Sequence, residues 1–179
     1  MNVNGFEIER RFLIAMPDSE VLASAERSEI TQVYLESEKG TTERVRRRVR
    51  ADRTEYTHTV KRRISSMRRV EDEAVIDEAE YRALLKRADP KRRPIEKERY
   101  CFTDGGLLWE LDVFPFWKDR AILEVELEDE TQECTIPSRV RLLWEVTGDK
   151  RYTNASLSRE IPYDALDPGT NSESARLEL

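Results

Sequence analysis

Histidine, cysteine and glycine are scarce in this chain, and each scarcity closes a route to function. The sequence holds one His, two Cys and six Gly in 179 residues. Cys101 and Cys134 lie far apart without a C-x-x-C spacing, and His58 is the single imidazole, so a zinc site of Cys and His ligands is excluded. Any bound metal must then be held by carboxylates, which selects a hard cation such as Mg²⁺ or Mn²⁺. His58 alternates with Thr57 and Thr59 in a polar segment with no cysteine near it, which argues against a Ser-His-Asp or Cys-His nucleophile. Cys101, beside Phe102, reads as a packed residue. The glycines form neither a G-x-x-x-x-G-K-[ST] loop nor a G-x-G-x-x-G turn, so phosphate must be bound by side chains. No apolar run approaches the roughly 18 residues of a membrane span, and Glu7 and Glu9 do not fit a secretory signal. The expectation is a soluble, cytoplasmic protein with no membrane partner.

Charge is what the chain has in excess. Charged residues make up 38% of it, against about 25% in an ordinary soluble domain. Three Trp, six Tyr and five Phe, with many Leu, Ile and Val, argue against disorder. The length suits one domain, expected over residues 1–165, with a flexible tail at 166–179. The net charge of −6 hides a segregation: 15 of the 31 Lys and Arg fall in residues 44–50, 61–69 and 91–99, whereas residues 124–149 carry eight acids and two bases. A uniformly basic nucleic-acid binder would not have this pattern.

The charged blocks alternate with apolar residues. Glu7, Glu9 and Arg11 oppose Ile8 and Phe12; Arg44, Arg46 and Arg48 oppose Val45 and Val49; Thr59, Lys61 and Arg63 oppose Val60 and Ile64. Arg69, Glu71 and Glu73 oppose Val70 and Ala74, and Lys97 and Arg99 precede Tyr100 and Phe102. Glu110 and Asp112 interleave Trp109, Leu111 and Val113, and Glu124, Glu126 and Glu128 interleave Leu123, Val125 and Leu127. Period two is the strand signature, because successive side chains point to opposite sheet faces. At least seven strands with one charged face each are predicted. Asp77 and Glu80 form a capping box ahead of Tyr81, Leu84, Leu85 and Ala88, which predicts a helix stopped at Asp89-Pro90. Pro137 predicts another helix, with a stripe of Val140, Leu143, Trp144 and Thr147 and an end at Gly148. A weaker helix begins near Asp18 or Ser19 and uses Val21, Leu22 and Ala25. Helices on the apolar faces would leave the charged faces looking inward, and a sheet of this many strands can close into a barrel. Buried charges persist only when paired, wet or awaiting a ligand. Arg and Lys rows suit phosphate oxygens, and carboxylate pairs suit Mg²⁺ or Mn²⁺.

These segments carry a resemblance. Glu7-Ile8-Glu9-Arg10-Arg11 is similar to the E-x-E-x-K signature of the CYTH superfamily, the triphosphate tunnel metalloenzymes. Arg44-Val45-Arg46, Thr59-Val60-Lys61 and Arg69-Val70-Glu71-Asp72-Glu73 resemble its R-x-R, T-x-K and R-x-E-x-E strands. Lys97-Glu98-Arg99-Tyr100, Trp109-Glu110-Leu111-Asp112-Val113-Phe114 and Glu124-Val125-Glu126-Leu127 resemble its next three. Glu145-Val146-Thr147-Gly148 through Arg151-Tyr152-Thr153-Asn154 resembles the closing stretch. The match covers about residues 5–158 and is most like the stand-alone bacterial inorganic triphosphatases.

The resemblance implies an α+β fold: a closed antiparallel eight-stranded β-barrel, the triphosphate tunnel, with helices packed outside. It implies a metal-dependent triphosphatase that cleaves inorganic triphosphate to pyrophosphate and phosphate with Mg²⁺ or Mn²⁺. Phosphate contacts would be Arg44, Arg46, Arg48, Lys61, Lys97, Arg99 and Arg151. Metal carboxylates would come from Glu7, Glu9, Glu71, Glu73, Asp112, Glu124 and Glu126, and Glu9, Arg11 and Lys61 would be catalytic. Arg11 replaces the usual lysine; its guanidinium keeps the charge but stays protonated, so a proton-transfer role would not survive. Adenylate cyclase and thiamine triphosphatase share the fold and are the alternatives, with Trp117 in the Phe114–Trp117 loop as the candidate platform for an organic ring. A non-enzymatic polyphosphate or nucleic-acid binder is a third reading, and the sequence leaves a homodimer open.

Overall fold

The computed structural model describes residues 8–63 and 69–163. Glu7, Ile64 and the expected tail lie outside the described residues. The strands are β1 (Ile8–Ala15), β2 (Glu26–Leu35), β3 (Thr41–Val49), β4 (Thr54–Arg63), β5 (Arg69–Ile76), β6 (Ile95–Asp104), β7 (Leu107–Val113), β8 (Arg120–Leu127) and β9 (Leu142–Glu145). They pair antiparallel throughout in one sheet of order β5-β4-β3-β2-β6-β7-β8-β1-β9. All seven alternating segments are strands; β2 and β9 bring the count among the described residues to nine, against the eight expected. Among the described residues no ladder joins β5 to β9. Short links set the meander: β6 and β7 are joined by Gly105 and Gly106, with φ of 58° and 79°. Two consecutive positive φ values define the tight hairpin turn whose twist matches the strands, and glycine adopts them without strain.

Among the described residues three short helices accompany the sheet: α1 (Ser19–Ala23), α2 (Glu78–Leu84) and α3 (Asn154–Leu157). The N-cap half of the capping box is realised, with Asp77 accepting from the Glu80 amide at 2.8 Å. Past α2 the chain tightens into a 3-10 turn, Leu85–Arg87. Tyr81, Leu84 and Leu85 cover Val33, Leu35 and Val45 on the apolar face of β2 and β3. Leu22 and Ala25 at α1, with Cys134, Ile136 and Val140, cover a second apolar group on that face, built on Phe12, Tyr100, Phe102, Trp109, Leu123 and Val125. A Val, Leu, Ile or Phe side chain fully withdrawn from water there contributes roughly 1.5–3 kcal/mol.

The helix expected from Pro137 to Gly148 does not form. Residues 138–140 turn, and Leu142–Glu145 is β9, paired to Phe12, Leu13 and Ile14 with a register shift between Leu13 and Ile14. The outer edge of β1 decides this. Its backbone polar groups need partners: the Ala15 amide donates to the Arg141 carbonyl at 2.9 Å, and the Arg11 carbonyl accepts from the Val146 amide at 2.8 Å. A helix would leave those groups unpaired. Leu143 and Trp144 still reach apolar surroundings as strand residues.

A third apolar group lies on the other, charged side of the sheet, at one end. Leu13, Ile122, Ile95 and Tyr34 are roofed there by Phe114, Trp117, Val146, Tyr152, Leu157 and Ile161. The inner face therefore changes along its strands from charged to apolar, ending in a plug.

Candidate polyanion-binding face

Strand register places the charged residues on one face. Arg11 lies opposite Glu124, which lies opposite Glu110. Asp112 faces Arg99, and Arg99 faces Ser28. Arg48 faces Ile30, Arg46 faces Gln32 and Arg44 faces Tyr34, while Lys61 faces both Thr42 and Glu71, and Thr59 faces Glu73. Glu9, Arg11, Arg44, Arg46, Arg48, Lys61, Glu71, Glu73, Lys97, Arg99, Asp112, Glu124 and Glu126 thus share the inner side of the sheet.

The face divides into two charged groups separated by β2, whose inward Ser28, Ile30 and Gln32 are neutral. In the first, on β6, β7, β8 and β1, Arg99 is the centre. It donates to Asp112 Oδ1 and Oδ2 at 2.7 Å each, to Glu124 at 3.0 Å and to Glu110. Arg11 donates to Glu124 at 2.7 Å and to Glu9 at 2.5 Å. Lys97 is buried and donates to Asp112, with its ammonium 5.6 Å from the Phe114 ring where the plug begins. Burial opposes the charge on Arg99, yet Asp112, Glu110 and Glu124 outweigh it and push the guanidinium pKa up. Burial likewise opposes ionisation of Asp112, but Lys97 and Arg99 hold its carboxyl below the usual range. Lys97 goes the other way, lowered by burial against the pull of Asp112.

The second group, on β3, β4 and β5, is looser. Lys61 pairs with Glu71 at 2.6 Å, and Arg46 reaches Glu73 at 3.3 Å. Arg44 lies 3.7 Å from Glu71 and 3.8 Å from Glu73, and Thr59 donates to Glu73 at 2.7 Å. Arg48 donates only to the hydroxyl of Ser28, at 3.1 Å, and to Cys101 Sγ, forming no ion pair among the described residues. Burial, then Arg44, Arg99 and Arg48, lower the Arg46 pKa against Glu73. Arg44 Nε and Thr57 Oγ1, both buried, have no hydrogen-bond partner among the described residues. Buried donors are rarely left unpaired, so this half of the face is short of acceptors.

The carboxylates do not assemble a metal cage: among the described residues no three His, Cys, Asp or Glu lie close enough to hold an ion. Asp112 is engaged by Lys97 and Arg99, and Glu71 and Glu73 by Lys61, Arg44, Arg46 and Thr59. Glu9 and Glu126 lie directly opposite each other across β1 and β8, a like-charge pair that costs stability unless a cation sits near it. Arg151 is on no strand of the sheet. It lies in a 3-10 turn, Lys150–Tyr152, donating to Asp149 at 2.8 Å. Ser28, Gln32, Thr57 and Glu110 join the face without having been singled out as site residues; β2 carries no charge alternation to mark it. Trp117 is buried in the plug, packed against Phe114, Phe116 and Tyr152, with Nε1 donating to the Pro162 carbonyl. It offers no open slot for an organic ring.

An antiparallel sheet with cations and carboxylates interleaved on one face, and its cations in part unmatched, defines a protein built to take a polyanion. No protein-family model matches the chain. It is 36% identical over 163 residues to an inorganic triphosphatase of Nitrosomonas europaea, covering 87% of this chain and 99% of that one. It is 31% identical over 160 residues to an inorganic triphosphatase of Acetivibrio thermocellus, covering 89% and 96%. The crystal structure of the inorganic triphosphatase NE1496 matches with a TM-score of 0.59 at 33% identity, over 88% of this chain and 97% of that one. The chain belongs to this family, the CYTH-type stand-alone triphosphatases. No described helix is long and apolar enough to cross a membrane.

Proposed function

We propose that the protein hydrolyses inorganic triphosphate to pyrophosphate and orthophosphate with Mg²⁺ or Mn²⁺ as cofactor. The observation that carries this reading is the acceptor shortage on β3 and β4: Arg48 without a carboxylate, and Arg44 Nε and Thr57 Oγ1 buried without partners. A linear triphosphate supplies several charged acceptor oxygens in a row, which is what these donors lack. The burial of Trp117, the candidate platform for an organic ring, favours an inorganic substrate over a nucleotide or thiamine ester.

On this reading Arg44, Arg46, Arg48 and Lys61 hold one side of the triphosphate. Lys97, Arg99 and Arg11 face its other side across neutral β2. Catalysis of phosphoryl transfer is mostly positioning and stabilisation of charge on the equatorial oxygens. Arg11 acts electrostatically: against its burial, Glu124 and Glu9 raise its pKa, so it holds its proton throughout. Glu9 and Lys61 keep 39% and 38% of their side chains exposed and can meet both solvent and ligand. Glu9 and Glu126 fit a hard cation that takes one or two carboxylates and completes its shell with water and phosphate oxygens. When bound, that ion neutralises phosphate charge and acidifies the attacking water.

The sheet closes into a tunnel in the working enzyme on the same reading. Among the described residues β9 pairs with Phe12–Ile14 and the Val146 amide extends the contact to Arg11, so β5 would meet β1 over its Ile8–Arg10 end. The test is phosphate release from a panel of inorganic triphosphate, ATP and thiamine triphosphate. Glu9→Gln and Lys61→Ala are each expected to lower turnover of the inorganic substrate on the order of 10²-fold or more with the fold retained. Wild-type rates in both variants, or a strong preference for an organic triphosphate, would contradict the assignment.

A further inference from the structure

Arg92 lies in the loop between α2 and β6, outside the residues assigned above. Its guanidinium lies 4.6 Å from the centre of the Tyr34 ring. Tyr34 is on the inner face at the edge of the plug, directly opposite Arg44 in the β2–β3 ladder, and its hydroxyl accepts from Gln32 at 2.8 Å. Two guanidinium groups therefore flank one tyrosine. Each keeps one buried nitrogen with no hydrogen-bond partner and no ion pair of its own among the described residues: Arg92 Nη1 and Arg44 Nε. Among the described residues one carboxylate pairs with Arg92: Asp89, whose Oδ2 lies 3.3 Å from Nε. Burial first, and then the positive charge of Arg159, hold Arg92 below the usual guanidinium range.

An isolated stacked arginine would turn its polar edge to water, where its five donors are satisfied. Here one nitrogen of each of two arginines, Arg92 Nη1 and Arg44 Nε, is withdrawn from water without an acceptor among the described residues, which costs free energy for as long as nothing fills the site. The missing partner is anionic, small and rich in oxygens. It is also continuous with the row of Arg48, Arg46 and Arg44, which leads along β3 toward the plug.

We propose that Arg92 and Arg44 form an inner phosphate subsite around Tyr34, where the charged face meets the plug, which takes a single phosphoryl group. This rests on the polyphosphate reading above and extends it to a residue outside the charged strands. The phosphoryl group is either the terminal unit of the bound chain or the orthophosphate left after cleavage, and the two sources are separable.

The experiment uses the full-length protein in two arms. In the first, orthophosphate is titrated into ¹⁵N-labelled wild-type protein while the side-chain Nε–H resonance of Arg92 is followed, with Arg92→Lys serving to assign it. A saturable shift supports the subsite; a resonance unmoved by orthophosphate and by triphosphate overturns it. In the second, Arg92→Gln is compared with wild type. Loss of a charge-assisted contact is expected to raise KM for triphosphate about tenfold if the subsite holds the chain end. If it holds the product, KM is retained and inhibition by orthophosphate weakens about tenfold. Arg92→Lys, which keeps the charge, should restore part of either effect. A purely structural role predicts a lowered melting temperature with KM and orthophosphate inhibition unchanged. Wild-type protein that fails to hydrolyse triphosphate would instead overturn the proposed function itself.

Discussion

Arg48 and Arg99 meet at Ser28, which lies opposite Arg99 and accepts from Arg48, yet their electrostatic positions are opposed. Arg99 is saturated by Asp112, Glu110 and Glu124, whereas Arg48 has no carboxylate among the described residues. Truncating Arg99 would strand buried carboxylates, and breaking such a network costs about 3–5 kcal/mol. Arg99→Ala should therefore show a lowered midpoint in urea unfolding. Arg48→Ala should keep its midpoint and lose on the order of 10²-fold in kcat/KM for triphosphate. Asp112 gives a pH dependence of definite sign. Its folded pKa lies below the unfolded value of about 3.9, so its contribution is complete above that value and lost as pH falls through the folded pKa. Urea midpoints measured against pH should fall below about pH 4 in wild type, and Asp112→Asn should flatten that fall. The residue types of the face were legible from the sequence because each charge alternates with an apolar neighbour. Their pairings were not. Asp112, Glu71 and Glu73, expected as metal ligands, each pair with Lys or Arg in this structure, because cross-strand register decides which charges meet.

At the scale of elements, β1, β3 and β8 were readable from period two, and α2 from its capping box. Two strands were not. β2 is buried on both faces over Gln32, Val33, Tyr34 and Leu35, so its apolar residues run together and the alternation disappears. β9 has a helical stripe by spacing, but its conformation is set by the unpaired edge of β1 rather than by its own residues. Because α2 covers the apolar face, its cap acts on stability alone: Asp77→Ala should cost about 1 kcal/mol in denaturant unfolding and leave triphosphate turnover unchanged. A fall in turnover would tie α2 to the site.

For the whole molecule, the sheet separates two environments. Helices and the 128–141 loop cover one apolar face, while the other is charged over most of its length and sealed at one end by the plug around Trp117 and Tyr152. The plug places Lys97 and Tyr34 at the boundary, where low polarity strengthens each contact with a phosphate. The central claim is that this face holds a linear polyphosphate for hydrolysis. Its most direct test is a ³¹P NMR time course of inorganic triphosphate with wild-type protein and Mg²⁺ or Mn²⁺, repeated after EDTA. Conversion to pyrophosphate and orthophosphate in equal amounts, stopped by the chelator, is the predicted result; triphosphate that persists unchanged with either cation would contradict it.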